Sequence, residues 1–141
     1  MPDERKPSGL LPFVCHMIVC EHAESSRTNP HRVNVFGIVR NVVVQKANAS
    51  FPHNFGFEVY VALTECRGPG TARIIVSHEE SGQVCYGGVP HIIPLDADLL
   101  RVQHMVFRVP QCELPGPGLY WIELEIDGVV LKQEPIIVVV R

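Results

Sequence analysis

The feature that most restricts what this chain can fold into is a two-residue rhythm. Between Tyr120 and Ile126 the apolar residues Tyr120, Ile122, Leu124 and Ile126 alternate with Trp121, Glu123 and Glu125. In an extended strand successive side chains point to opposite faces, so this rhythm separates an inside from an outside. On a helix the same residues would scatter around the axis. The stretch from Phe57 to Thr64 repeats the pattern, with Phe57, Val59, Val61 and Leu63 pointing one way and Glu58, Tyr60, Ala62 and Thr64 the other.

Shorter segments follow the same rule. Strands are predicted at about Phe13 to Cys20, with Phe13, Cys15, Met17 and Val19 inward, and at Val33 to Ile38, where Gly37 marks a bend or bulge. Further strands fall at Val42 to Val44, at Ala72 to His78 with Ala72, Ile74 and Val76 inward, at Gln83 to Tyr86, and at Val102 to Val109. The chain closes with Val129 to Lys132 and with Ile136 to Val140, separated by Pro135. The last run is apolar at every position, which suits either cover on both faces or a subunit contact.

Turn residues punctuate these runs: Arg67-Gly68-Pro69-Gly70, Glu79-Glu80-Ser81-Gly82, Leu114-Pro115-Gly116-Pro117-Gly118 and Asp127-Gly128. The last is a two-residue hairpin signal of type I′. Glu21 to Arg32, Lys46 to Asn54 and Gly87 to Asp98 read as loops. Seven to nine short strands with no helical period predict an all-β, two-sheet antiparallel β-sandwich of immunoglobulin-like kind, with a β-barrel as the alternative. Residues 1–9, with Pro2, Pro7 and Gly9 among four charges, read as a flexible tail, and residues 10–141 as a single domain.

Leu114-Pro115 followed by Gly118 and Tyr120 has the form of a tyrosine corner, in which the phenol bonds backbone a few residues upstream. Tyr120 is therefore expected to be buried, and its replacement by Phe to cost about 1 kcal/mol.

Composition narrows the function. With 46% apolar residues in 141, one core can form unaided. A net charge of -3 argues against broad nucleic-acid binding, which needs Lys and Arg to displace counterions. The apolar run Leu10 to Cys20 follows Arg5 and Lys6 but is broken by Pro12 and His16, and Val19 precedes Cys20 where a lipoprotein site needs a small residue. No apolar stretch reaches the roughly 18 residues of a membrane span. The cysteines Cys15, Cys20, Cys66, Cys85 and Cys112 are odd in number and have no C-x-x-C spacing, so free thiols in the cytoplasm are expected.

Several segments carry a resemblance. They are Val33-Asn34-Val35-Phe36-Gly37-Ile38-Val39, Phe51-Pro52-His53, Phe57-Glu58-Val59-Tyr60-Val61, and Pro117-Gly118-Leu119-Tyr120-Trp121 with Ile126-Asp127-Gly128. From about Phe13 to Val140 the chain resembles a family of uncharacterised bacterial β-sandwich proteins, a domain of unknown function. The resemblance implies a fold and no activity. The chain departs from that pattern in its high Cys and His content.

Candidate chemistry is sparse. His16, Cys20 and His22 share one strand parity and are residue types that zinc favours, but Ile18 lies between them and no fourth ligand presents itself. No metal or other cofactor is expected. Ser77 and His78 are neighbours on a strand, so they face opposite ways and cannot form a triad. Glu123 and Glu125 read as a solvated face rather than a catalytic pair. No catalytic residue is expected, and the chain reads as a non-enzyme.

What remains is association. Trp121 shares the parity of Glu123 and Glu125, away from the core, and Val130 with Ile136 to Val140 adds apolar surface. The sequence therefore suggests an interaction or structural module, homo-oligomeric or with a protein partner, with no nucleic acid and no membrane as partner. The alternative is a small-molecule or metal-binding protein using the loop at 87–98 and His91 at the sandwich end.

Overall fold

A computed structural model describes residues 11–29, 31–67, 69–93 and 98–141. The tail expected at 1–9 lies outside them. Ten strands occur among the described residues: β1 (Phe13–Ser25), β2 (Val33–Ile38), β3 (Asn41–Val44), β4 (His53–Thr64), β5 (Thr71–His78), β6 (Val84–Gly87), β7 (His91–Ile92), β8 (Gln103–Leu114), β9 (Gly118–Ile126) and β10 (Val129–Val140). One 3-10 turn, Lys46–Asn48, interrupts them.

The strands form a four-stranded sheet in the order β2-β1-β4-β8 and a six-stranded sheet in the order β3-β10-β9-β5-β6, with β7 added beside β5. All pairings are antiparallel except β3 with β10, which run parallel. The two ladders share no strand pairing, so the molecule is a two-sheet sandwich and not a closed barrel.

The core lies between the sheets. Val59, Val61 and Leu63 of β4 and Val109 of β8 face Ile122, Leu124 and Ile126 of β9 and Ile136 of β10, all fully buried. Each such side chain contributes roughly 1.5–3 kcal/mol on burial. The alternation read in β9 holds at every position, and β5 buries Ala72, Ile74 and Val76 as expected. The β9–β10 hairpin turns on Asp127 (φ 50) and Gly128 (φ 83), the left-handed pair that a type I′ turn demands. Asp127 also ties this turn to β5: its carboxylate accepts from the Thr71 N–H at 3.0 Å, and its own N–H donates to the Thr71 carbonyl at 3.0 Å.

Tyr120 forms the expected corner. It is fully buried, its hydroxyl donates to the Gly116 carbonyl at 2.5 Å, and it accepts from the Gly116 N–H at 3.1 Å. Its ring stacks on His78 at 4.5 Å.

Several expectations change. Phe13 is 61% exposed rather than inward, because the register between β1 and β4 shifts between Val14 and His16. That irregularity also moves Cys15 to a second apolar cluster with Cys20, Ala23, Tyr60 and Ala62. The pairing of Ile18 with Tyr60, while Met17, Val59 and Val61 enter the core, puts this cluster on the outer face of the four-stranded sheet.

The run Ile136–Val140 is covered on one face only. Ile136 and Val138 are buried, whereas Ile137 is 44% exposed. Pro135 does not end the strand, because β3 begins its pairing only at Ile137 and leaves Pro135 at a free edge. Pro110 is accommodated in β8 for the same reason, β8 being an edge strand.

Candidate functional site

The outer face of the six-stranded sheet carries a row of apolar side chains. On β10, Ile136 and Val138 point inward, so Pro135, Ile137 and Val139 point out; on β9, Leu119 and Trp121 flank the inward Tyr120. Register places Ile137 beside Leu119, Pro135 beside Trp121, and Val139 beside Val43 of β3. Trp121 in turn neighbours Ser77 of β5, whose other neighbour is Val84 of β6. An apolar band thus runs from Val43 to Trp121, and Ser77 separates it from Val84; Val43 and Val84 are both more than half exposed.

The indole of Trp121 is fixed in this band. Its Nε1–H donates to the Glu79 carboxylate at 2.6 Å, so its polar corner is satisfied. The lower part of the face is polar and internally paired: Arg73 Nε to Glu125 at 2.7 Å, and Gln133 Nε2 to Glu123 at 2.7 Å. The carboxylates of Glu123 and Glu125 therefore serve cross-strand pairing. Val130 is exposed and sits beside Glu125, about 13 Å along β9 from Trp121 at strand rise, so it is separated from the band by these polar rows.

The metal candidates do not converge. His16 is exposed, while Cys20 is fully buried with its thiol directed at the Glu58 carbonyl at 3.6 Å. Burial, reinforced by the Glu58 charge, pushes that thiol's pKa up, which disfavours the thiolate a metal needs. His22 has both ring nitrogens against carboxylates, Nε2 to Glu24 at 2.7 Å and Nδ1 to Glu58 at 3.1 Å. Among the described residues no group of three or more His, Cys, Asp or Glu is arranged to hold a metal ion.

Ser77 and His78 do face opposite ways. His78 is 7% exposed and bonds instead to Ser81 Oγ at 3.1 Å and to the Pro117 carbonyl at 3.3 Å. It joins the β5–β6 connection to the turn before β9. His91 lies edge-on to Phe107 at 5.5 Å, and the hollow beside it, lined also by Ile74, Tyr86 and Arg108, measures about 10 Å³, room for one water at most. Residues 94–97 of that loop lie outside the described residues. A larger, open hollow of about 450 Å³ at the sandwich end is lined by Phe51, Pro52, Gln83, Val84, Cys85, Glu113 and Pro115.

Sequence reasoning missed the role of Glu58. It is a lone carboxylate within an apolar strand, and that isolation was the available signal. Its Oε1 accepts from the Ala23 N–H at 2.8 Å, and its Oε2 lies 3.4 Å from Arg108 Nε. It meets β1 where the β1–β4 pairing ends, at Cys20.

A family model described as "Family of unknown function (DUF6941)" matches residues 16–139. No curated protein matches the chain. Among solved structures, the chain is similar to the CARDB domain of the PF1109 protein of Pyrococcus furiosus, described in complex with di-metal ions. The identity is 14% and the TM-score 0.43, covering 96% of this chain and 100% of that one. It is also similar to the Pseudomonas fluorescens alkylpurine DNA glycosylase AlkC bound to DNA containing an abasic site analog. There the identity is 10% and the TM-score 0.39, covering 86% of this chain and 30% of that one.

Proposed function

This chain belongs to DUF6941, a family of unknown function, and from that premise we propose that it is a non-enzymatic association module that binds a second copy of itself through the outer face of its six-stranded sheet. The observation that carries this reading is the apolar band over Val43, Val139, Ile137, Leu119, Pro135 and Trp121. An exposed apolar face of this kind suits self-complementary, two-fold contact. Below the band Arg73 pairs with Glu125 and the Gln133 amide donates to Glu123, a polar edge suited to the hydrated rim of an interface.

His78 and Cys112, side chains of chemically capable types, are occupied structurally. His78 is fastened between Ser81 and Pro117. Burial pushes the Cys112 thiol up to about 12, far from a nucleophile's range.

Light scattering coupled to size exclusion tests the proposal. The wild-type chain should elute as a dimer or larger, and Ile137→Asp should convert it to a monomer with unchanged circular dichroism. A wild-type chain that stays monomeric over a wide concentration range overturns it.

A second reading, ligand binding at the sandwich end, is favoured by the hollow between Phe51 and Glu113. Thermal shifts with metals and a metabolite panel test it, and no shift with any of them would dismiss it.

A further inference from the structure

The outer end of β1 carries an arrangement that association through the other sheet does not use. Each ring nitrogen of His22 contacts an oxygen of a different carboxylate, Glu24 at 2.7 Å and Glu58 at 3.1 Å. A carboxylate only accepts, so both contacts are hydrogen bonds only when both nitrogens carry protons. A neutral imidazole has one N–H, and its bare lone pair would face a negative oxygen. The geometry is therefore that of an imidazolium.

The position gives the proton leverage. Glu24 lies on β1 beyond the last β1–β4 pair, and Glu58 lies on β4 at that last pair. Beyond Cys20, β1 is paired on one side only, with β2, through His22 with Phe36, Ala23 with Val35, Glu24 with Asn34 and Ser25 with Val33. His22 also stacks on Phe36, ring centroids 6.1 Å apart. The ring thus fastens a two-stranded ribbon to the rest of its sheet, alongside the bond from the Ala23 N–H to Glu58.

We propose that His22, held between Glu24 and Glu58, is a proton-operated latch on the β1–β2 ribbon, closed with the imidazolium and loosened with the neutral ring.

The charged and titratable neighbours are few. β1 contributes Cys20, Glu21 and Glu24, β4 contributes Glu58, and β8 contributes Arg108, which shares the Glu58 carboxylate at 3.4 Å. β2, with the sequence Val-Asn-Val-Phe-Gly-Ile, contributes no titratable group. Hydrogen bonding to Glu24, with added attraction from both carboxylates, holds the His22 pKa above the ordinary histidine value. A folded-state value raised in this way makes the latch complete below the unfolded value and loses it as pH rises through the raised one. Opening would release β2, an edge strand on which Phe36 and Ile38 are already exposed.

The test is amide hydrogen exchange of β2 against pH, corrected for intrinsic rates, together with the NMR titration of the His22 ring. Protection of β2 should fall by roughly twofold to fivefold as His22 deprotonates, the range expected of a partly exposed ion pair. Glu24→Gln should move the His22 titration down while leaving the fold intact, and His22→Gln should abolish the pH dependence of β2 protection. The proposal is overturned if His22→Gln keeps the wild-type pH dependence. It is equally overturned if the wild-type His22 titrates no higher than a free histidine.

Discussion

Replacing Tyr120 by Phe removes one oxygen and nothing else, and the structure sets what that oxygen is worth. The ring's burial and its stacking on His78 survive the change. Both bonds to Gly116 disappear, the one donated to its carbonyl and the one accepted from its N–H. Two neutral bonds at about 1 kcal/mol each give about 2 kcal/mol. Gly116 is partly exposed, so water can recover some of this, and about 1 kcal/mol is the floor. For a chain of this size each kcal/mol moves the melting point by about 4 °C, which predicts a fall of about 4–8 °C. Calorimetry or urea titration reads it directly. Tyr86→Phe is the internal control: that hydroxyl makes a long 3.4 Å bond to the Arg108 carbonyl in an exposed position, and its loss should move the melting point little. Equal melting points for wild type and Tyr120→Phe would refute the reasoning that the corner contributes stability.

Gly118→Ala should destabilise by about 2 kcal/mol or more, seen as a lower urea midpoint. Its φ of 125° disfavours any side chain, and a Cβ would sit 3.3 Å from His78 Nε2. Toward a thiol reagent at mildly alkaline pH, Cys20, Cys66 and Cys112 should stay unmodified in the folded chain, while the partly exposed Cys15 and Cys85 react first. Mass spectrometry of the labelled protein checks this, and early labelling of Cys112 would contradict its depth in the core.

What the sequence disclosed depended on how local each cause was. The alternation in β9, the Asp127-Gly128 turn and the tyrosine corner each arise within a few residues, and each stands as read. The exposed Phe13 was out of reach because a register shift against β4 inverts parity without changing the pattern of residue types. Likewise Val43, an ordinary apolar strand residue, joins the band only because β3 lies parallel to the far end of the chain. Trp121 was legible as outward-facing and Val130 as added apolar surface, but only the cross-strand neighbours show that the two lie apart. The contacts of His22 with Glu58 join residues remote in sequence, and nothing in either neighbourhood announces the other.

The parallel pairing of β3 with β10 has a consequence for biosynthesis. Val42 and Val44 bury themselves in the core, yet among the described residues the strand beside theirs is β10, remote from β3 in sequence. On the ribosome this apolar segment stays unpaired, its backbone bonded to water, until β10 has emerged. A nascent chain stalled before Ile137 would therefore leave β3 without the strand it pairs with, its apolar side chains open to water.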